Sequence, residues 1–308
     1  MVPIVYHPAY NVSAFGLERL HPFDGRKYRR IHDALIARGL RRKGDFVRPV
    51  PVTRGDLERV HTAEYLRTLR SPAALARTLE VPAVRRLPAW LVDWRVLRPM
   101  RYAAGGTVLA ARLALERGLA VNLGGGYHHA APSFGGGFCA YADAPLAAQT
   151  LYDEGKVGRV LVVDLDAHQG DGTAAFARTR PWASVLDLYE DDLFPGRKEP
   201  EDFPRPLPPG MTGPEYLEVV REGLAAALAG PPPDLIVYNA GSDPYVHDPL
   251  TRSRLSRRDL AERDLFVVTA ARERSIPVVM ILSGGYATDS WIIHTDAVED
   301  ILTRFDRT

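Results

Sequence analysis

Short apolar, β-branched runs alternate along the chain with longer segments of helical periodicity. The runs fall at residues 2–6, 119–123, 159–166, 184–189, 235–240 and 276–283. Their apolar positions follow one another directly, as in strands buried on both faces of a parallel sheet. Between them, residues 92–117, 144–154, 214–228 and 256–274 carry helical patterns, the last opening on Ser256 as an N-cap. This alternation predicts an α/β fold with a parallel sheet flanked by helices. Two proline-rich stretches, 195–214 and 231–233, join elements that continue the same alternation. They read as loops within one domain spanning residues 1–308 rather than as linkers.

Composition narrows the function classes. The chain has 308 residues and 46% hydrophobic content, enough for a substantial core. A net charge of +1, from 39 basic and 38 acidic residues, gives no global field for nucleic acid or an anionic membrane. No apolar stretch approaches the roughly 20 residues of a membrane span, and no basic segment precedes an apolar run at the start. One cysteine, Cys139, allows no internal disulfide, and no Cys/His cluster suggests a structural zinc site. The expectation is a cytoplasmic protein with no nucleic-acid or membrane partner and an undetermined oligomeric state.

In open parallel sheets ligands bind beyond the carboxyl ends of the strands, and four such ends are rich in reactive side chains. They carry Gly124-Gly125-Gly126-Tyr127-His128-His129, the stretch from Asp164 to Asp171, Ser242-Asp243, and Ser283-Gly284-Gly285-Tyr286. In Asp164-x-Asp166-x-His168 a period of two would place three polar side chains on one face of an extended segment. Carboxylate and imidazole suit Zn²⁺ or Fe²⁺, and catalytic zinc typically keeps three protein ligands. Asp166 and His168 could supply two, with Asp243 the natural third; caps and turn residues at a strand end are the plainer alternative. Tandem histidines on irregular backbone are expected to point in different directions, so at least one of His128 and His129 should face a cleft, with Asp164 and Asp171 available as partners that tune an imidazole near neutral pH. A buried structural histidine is the alternative for either. The Tyr286 phenol could donate to a developing oxyanion or simply pack over the glycines.

Taken together, GGGYHHA, GGGFCAYADA, DLDAHQGDG, NAGSD and SGGY, in this order and approximate spacing, resemble the histone deacetylase and arginase-like superfamily. VYHPAYN, GLERLHPFDG, VHTAEYL, VLRPMRYAAGGT and the Gln169 that follows His168 resemble class IV histone deacetylases in particular. The resemblance implies a single-domain arginase/deacetylase fold, with a mainly parallel eight-stranded sheet flanked by helices and a site at its carboxyl edge. It implies Asp166, His168 and Asp243 as ligands of Zn²⁺ or Fe²⁺, and His128 and His129 as catalytic histidines oriented by Asp164 and Asp171. Tyr286 would face the metal across the substrate carbonyl, while Gly137, Phe138, Phe194 and Leu250 would line an acyl-lysine channel. A structural K⁺ would sit beside Asp164 and Asp187.

The implied activity is metal-dependent removal of acetyl or longer fatty acyl groups from lysine in a protein or peptide. The same centre acting on an acetylated polyamine or another small acylated amine is the nearest alternative. A ureohydrolase lacks the tandem histidines with Gly-Gly-Tyr, and a silent acyl-lysine binding protein would be expected to have lost a ligand or Tyr286. Two departures stand out: Leu250-Thr251-Arg252 replaces the usual Leu-Gly-Gly at the pocket rim, and Ala142 replaces an asparagine, a variant class IV members share.

Overall fold

The computed structural model describes residues 1–12 and 23–306, so residues 16–22 of GLERLHPFDG lie outside the described residues. Eight strands form one sheet: β1 Ile4–Val5, β2 Phe46–Val47, β3 Leu119–Asn122, β4 Val160–Asp164, β5 Ala183–Glu190, β6 Phe203–Leu207, β7 Leu235–Ala240 and β8 Val278–Leu282. Their order is β2-β1-β3-β8-β7-β4-β5-β6, and every pairing is parallel. The central strands β3, β8, β7 and β4 are buried at every position, as their uninterrupted apolar runs require.

Two strands escape the hydrophobic pattern. β2 is only two residues long. β6 corrects the reading of residues 195–214 as loop throughout: it pairs with β5 through Leu186↔Phe203 to Glu190↔Leu207. It can do so because it is an edge strand. Pro204 and Pro206, spaced by two, both turn their missing N–H toward the open edge, where the ladder needs no donor.

Eleven helices are described: α1 Lys27–Ala37, α2 Arg54–Leu57, α3 Ala63–Thr68, α4 Pro72–Thr78, α5 Ala89–Val92, α6 Arg98–Arg117, α7 Asp143–Asp153, α8 Asp171–Ala177, α9 Gly213–Ala227, α10 Arg257–Glu273 and α11 Ser290–Phe305. The helix expected over residues 92–117 begins earlier and contains a π turn at Asp93–Leu97. Pro99 cannot donate to the carbonyl four residues back, and the wider turn absorbs that break. Ser256 caps α10 reciprocally: its hydroxyl accepts from Asp259 N at 3.2 Å and its own N–H donates to the Asp259 carboxylate at 2.7 Å. Among the described residues no helix is long and apolar enough to cross a membrane.

Candidate active site

β4 and β7 are neighbours, and both end at the site. Asp164 closes β4 in register with Asn239 of β7 and Asp187 of β5. Beyond it the chain bends rather than running extended, which corrects the one-face reading of Asp164, Asp166 and His168. Each carboxylate captures the amide two residues on, Asp164 Oδ1 from Asp166 N at 3.2 Å and Asp166 Oδ1 from His168 N at 3.1 Å, and these local bonds turn the backbone. The bend brings His168 Nδ1 to 3.1 Å from Asp166 Oδ1 and 2.9 Å from Asp243 Oδ2. Asp166, His168 and Asp243 each offer a ligand atom, all within 4.8 Å of one another, and all three are buried. Gly241 makes the approach possible, because a Cβ there would lie 2.6 Å from the Asp166 Cα.

Without metal this cluster holds protons. Burial and the Asp166 carboxylate push the Asp243 carboxyl up to about 8. Burial opposes charge on His168, but Asp166 and Asp243 outweigh it and raise the imidazole to about 10. Two carboxylates and one imidazole in a buried pocket are a donor set suited to a dication with a position left open.

The tandem histidines do not diverge as expected. Both are buried, and their ring centroids lie 4.0 Å apart. Each is held by a separate carboxylate: His128 Nδ1 lies 3.0 Å from Asp164 Oδ2 and His129 Nδ1 2.7 Å from Asp171 Oδ1. Their electrostatics separate. Burial lowers the His128 pKa, but Asp164 and Asp166 outweigh it and raise it to about 9. Burial and the neighbouring His128 charge lower His129 to about 4. In the metal-free centre the carboxylates favour a proton on His128 while burial keeps His129 neutral, with the Asp171 contact leaving Nε2 of His129 as the free base.

Tyr286 packs edge-on to His168 and Phe138, with ring centroids 6.2 and 6.1 Å away. Its hydroxyl makes no hydrogen bond among the described residues, and burial with the nearby Asp166 and Asp243 charges holds it protonated. Phe194 stands edge-on to His129 with ring centroids 4.8 Å apart and is 44% exposed, and Leu250 is 37% exposed. Gly137 touches the deeper end: a Cβ there would come within 2.2 Å of His129 Cδ2, and its φ of 49° is left-handed. Phe138 follows with a positive φ of 67°, a strained setting for an aromatic residue. At the altered rim, the Thr251 hydroxyl turns inward to the Asp243 carbonyl at 2.7 Å, while Arg252 pairs with Asp192.

Behind the site, Asp187 is fully buried and accepts from Gly170 N at 2.8 Å. With the carboxyls ionised, its Oδ1, Asn239 Oδ1 and both Glu201 oxygens are without a hydrogen-bond donor among the described residues, and burial with the neighbouring carboxylates raises the pKa of Asp187 and pushes that of Glu201 up to about 7. Orphaned buried oxygens around Asp164 and Asp187 fit a hard cation such as K⁺.

Several supporting residues are not among the candidate site residues of the sequence. Asp143 accepts from Gly126 N at 2.9 Å and Tyr127 N at 2.7 Å, fixing the loop that presents the histidines. Asp248 accepts from Tyr286 N at 2.7 Å and Leu250 N at 3.0 Å, tying the tyrosine loop to the rim. Lys27, fully buried, donates to the Ser283 and Gly284 carbonyls, and burial lowers its pKa to about 8.

An apolar cavity opens off the centre. Its lining includes His128, Asp166 and Tyr286 of the centre together with apolar side chains such as Leu79, Leu91 and Met100.

Comparison with known proteins adds independent information. Residues 21–301 match the histone deacetylase domain. The chain is 39% identical to histone deacetylase 2 of Arabidopsis thaliana, over 97% of this chain and 78% of that one. It is 31% identical to the acetoin utilization protein AcuC of Bacillus subtilis, over 80% and 67% of the two chains. The crystal structure of the HDA15 HD domain superposes with a TM-score of 0.79 at 21% identity, covering 98% of this chain and 88% of that one.

Proposed function

The chain belongs to the histone deacetylase family, and from that premise we propose that it is a class IV-like, Zn²⁺-dependent lysine deacylase that prefers long fatty acyl groups to acetyl. The observation that carries the reading is the convergence of Asp166, His168 and Asp243 beside a neutral His129 and the Tyr286 hydroxyl. The N/O donor set suits Zn²⁺ or Fe²⁺, and Asp164 and Asp187 would hold a structural K⁺ behind it. The single buried Cys139 fits a reducing cytoplasm.

A dication held by the three ligands supplies Lewis acidity toward a carbonyl oxygen and toward water. His129 Nε2 removes the proton of the attacking water as its oxygen bonds to the acyl carbon. The Tyr286 hydroxyl donates to the oxyanion that develops on the carbonyl oxygen. As the carbon–nitrogen bond breaks, protonated His129 returns the proton to the departing amine. Asp171 holds the ring orientation throughout, and cationic His128 on Asp164 stabilises the negative charge. His129→Ala is therefore expected to lose more turnover at neutral pH than His128→Ala, because a base is harder to replace than a fixed charge. The reverse order in kcat measurements would exchange the two roles.

The acyl preference rests on the apolar cavity beside the centre. Each buried methylene contributes about 0.8 kcal/mol, so three of them exceed the roughly 1.4 kcal/mol that makes a tenfold difference. Hydrolysis of acetyl-, octanoyl- and myristoyl-lysine peptides beside acetylated polyamines, before and after chelation and zinc add-back, tests the whole reading. Metal-dependent release rising with chain length is the expected result. Activity confined to polyamines would transfer the site to small acylated amines, and no activity from metal-loaded protein would sink the enzyme reading.

A further inference from the structure

We propose that Arg263, remote in sequence from every candidate ligand, is the positioning residue that sets the spacing of the metal centre. The inference rests on the reading of Asp166, His168 and Asp243 as ligands.

β4 and β7 pair up to Asp164↔Asn239, and Leu165 N still donates to Asn239 O at 3.0 Å. Past that bond the strands separate: one bends through Asp166 to His168, and Ser242 N turns to Gly284 O of the β8 loop at 3.2 Å. Separation is what opens a pocket between the ligands, and it leaves the Leu165 and Gly241 carbonyls facing the interior without ladder donors. Arg263, on α10 and fully buried, meets both. Its Nη1 donates to Leu165 O at 3.0 Å and its Nη2 to Gly241 O at 2.6 Å. Its Nε donates to Asp264 Oδ1 at 2.8 Å, and the Tyr238 hydroxyl donates to that same oxygen, fixing the fork from behind.

Leu165 is bonded to Asp166, and Gly241 lies two residues before Asp243, so the fork spans the two strand ends that carry all three ligands. A planar guanidinium with donors in fixed directions sets a distance, which a flexible ammonium cannot. Substitution by lysine separates positioning from simple charge. If charge were the whole contribution of Arg263, a lysine in its place would leave metal affinity unchanged, whereas a positioning role requires a loss.

The test uses the full chain and three variants. Arg263→Lys keeps the charge and loses the fork, and Tyr238→Phe removes only the hydroxyl behind Asp264. Val298→Ala is a buried change on α11, outside the site. Zn²⁺ affinity is measured by competition with a chromophoric chelator, the visible spectrum of the Co²⁺-loaded protein reports coordination geometry, and thermal unfolding of the apo proteins is followed in parallel. The expected result is a loss of about 10–100-fold in Zn²⁺ affinity with an altered Co²⁺ spectrum in Arg263→Lys. Tyr238→Phe should show a smaller loss in the same direction, and Val298→Ala unchanged affinity. Wild-type affinity and spectrum in folded Arg263→Lys would overturn the proposal, as would an equal affinity loss in Val298→Ala. If Arg263→Lys does not fold, unchanged affinity in Tyr238→Phe overturns it. Failure of the wild-type protein to bind Zn²⁺ or Co²⁺ would instead overturn the metal reading beneath it.

Discussion

Alanine at Asp243 or at Asp166 should remove the metal and the activity together. Either change leaves two ligands of three, and loss of metal-derived transition-state stabilisation, several kcal/mol, lowers turnover by on the order of 10³-fold or more. Asp243→Ala should keep its fold, because burial already pushes that carboxyl up to about 8 and its deletion relieves an unfavourable group, even as Ala167 N loses an acceptor at 3.0 Å and His168 Nδ1 loses one at 2.9 Å. Asp166→Ala should be the less stable of the two, because burial is outweighed there by His128 and His168, which hold the carboxyl well below its usual range. Elemental analysis of the purified variants, with circular dichroism alongside, checks both halves. Stoichiometric zinc retained in both variants would defeat the ligand assignment. The same protons give the wild-type centre a pH dependence: Asp243 and His168, raised to about 8 and about 10, must be deprotonated to ligate, so apparent Zn²⁺ affinity should climb with pH up to about 10, most steeply below about 8 where both sites hold protons.

Tyr286→Phe should separate chemistry from metal binding. The ring is retained, so its edge contacts with His168 and Phe138 persist. The hydroxyl has no hydrogen-bond partner among the described residues, so its removal leaves no buried group unsatisfied and costs little stability. What disappears is one donor aimed at the developing oxyanion, worth about 10²–10³-fold in kcat. Zinc content and KM should stay near the wild-type values. Turnover within a few-fold of wild type would remove Tyr286 from the mechanism.

The supporting residues show why a site is only partly legible in sequence. His128, His129, Asp166, His168, Asp243 and Tyr286 stand directly after apolar runs, where the topology of a parallel sheet makes ligand groups expected. Asp143, Asp248 and Arg263 act on backbone atoms: two accept amides of the histidine and tyrosine loops, and the third donates to strand-end carbonyls. A backbone partner has no identity in the sequence, so no spacing announces the contact. β6 was hidden for a related reason, since its two prolines argue against a strand until its place at the sheet edge is known.

The sequence by itself determined the parallel α/β architecture, through apolar runs that only a sheet covered on both faces can bury, and it determined which strand ends hold reactive groups. Only the tertiary structure decided how those groups are used. The bend after Asp164, the side-by-side histidines with opposite charge states, and the apolar cavity beside the ligands arise where several elements meet. Distances, burial and the electric field at a residue are properties of its neighbours in space. Local propensity contains no term for them.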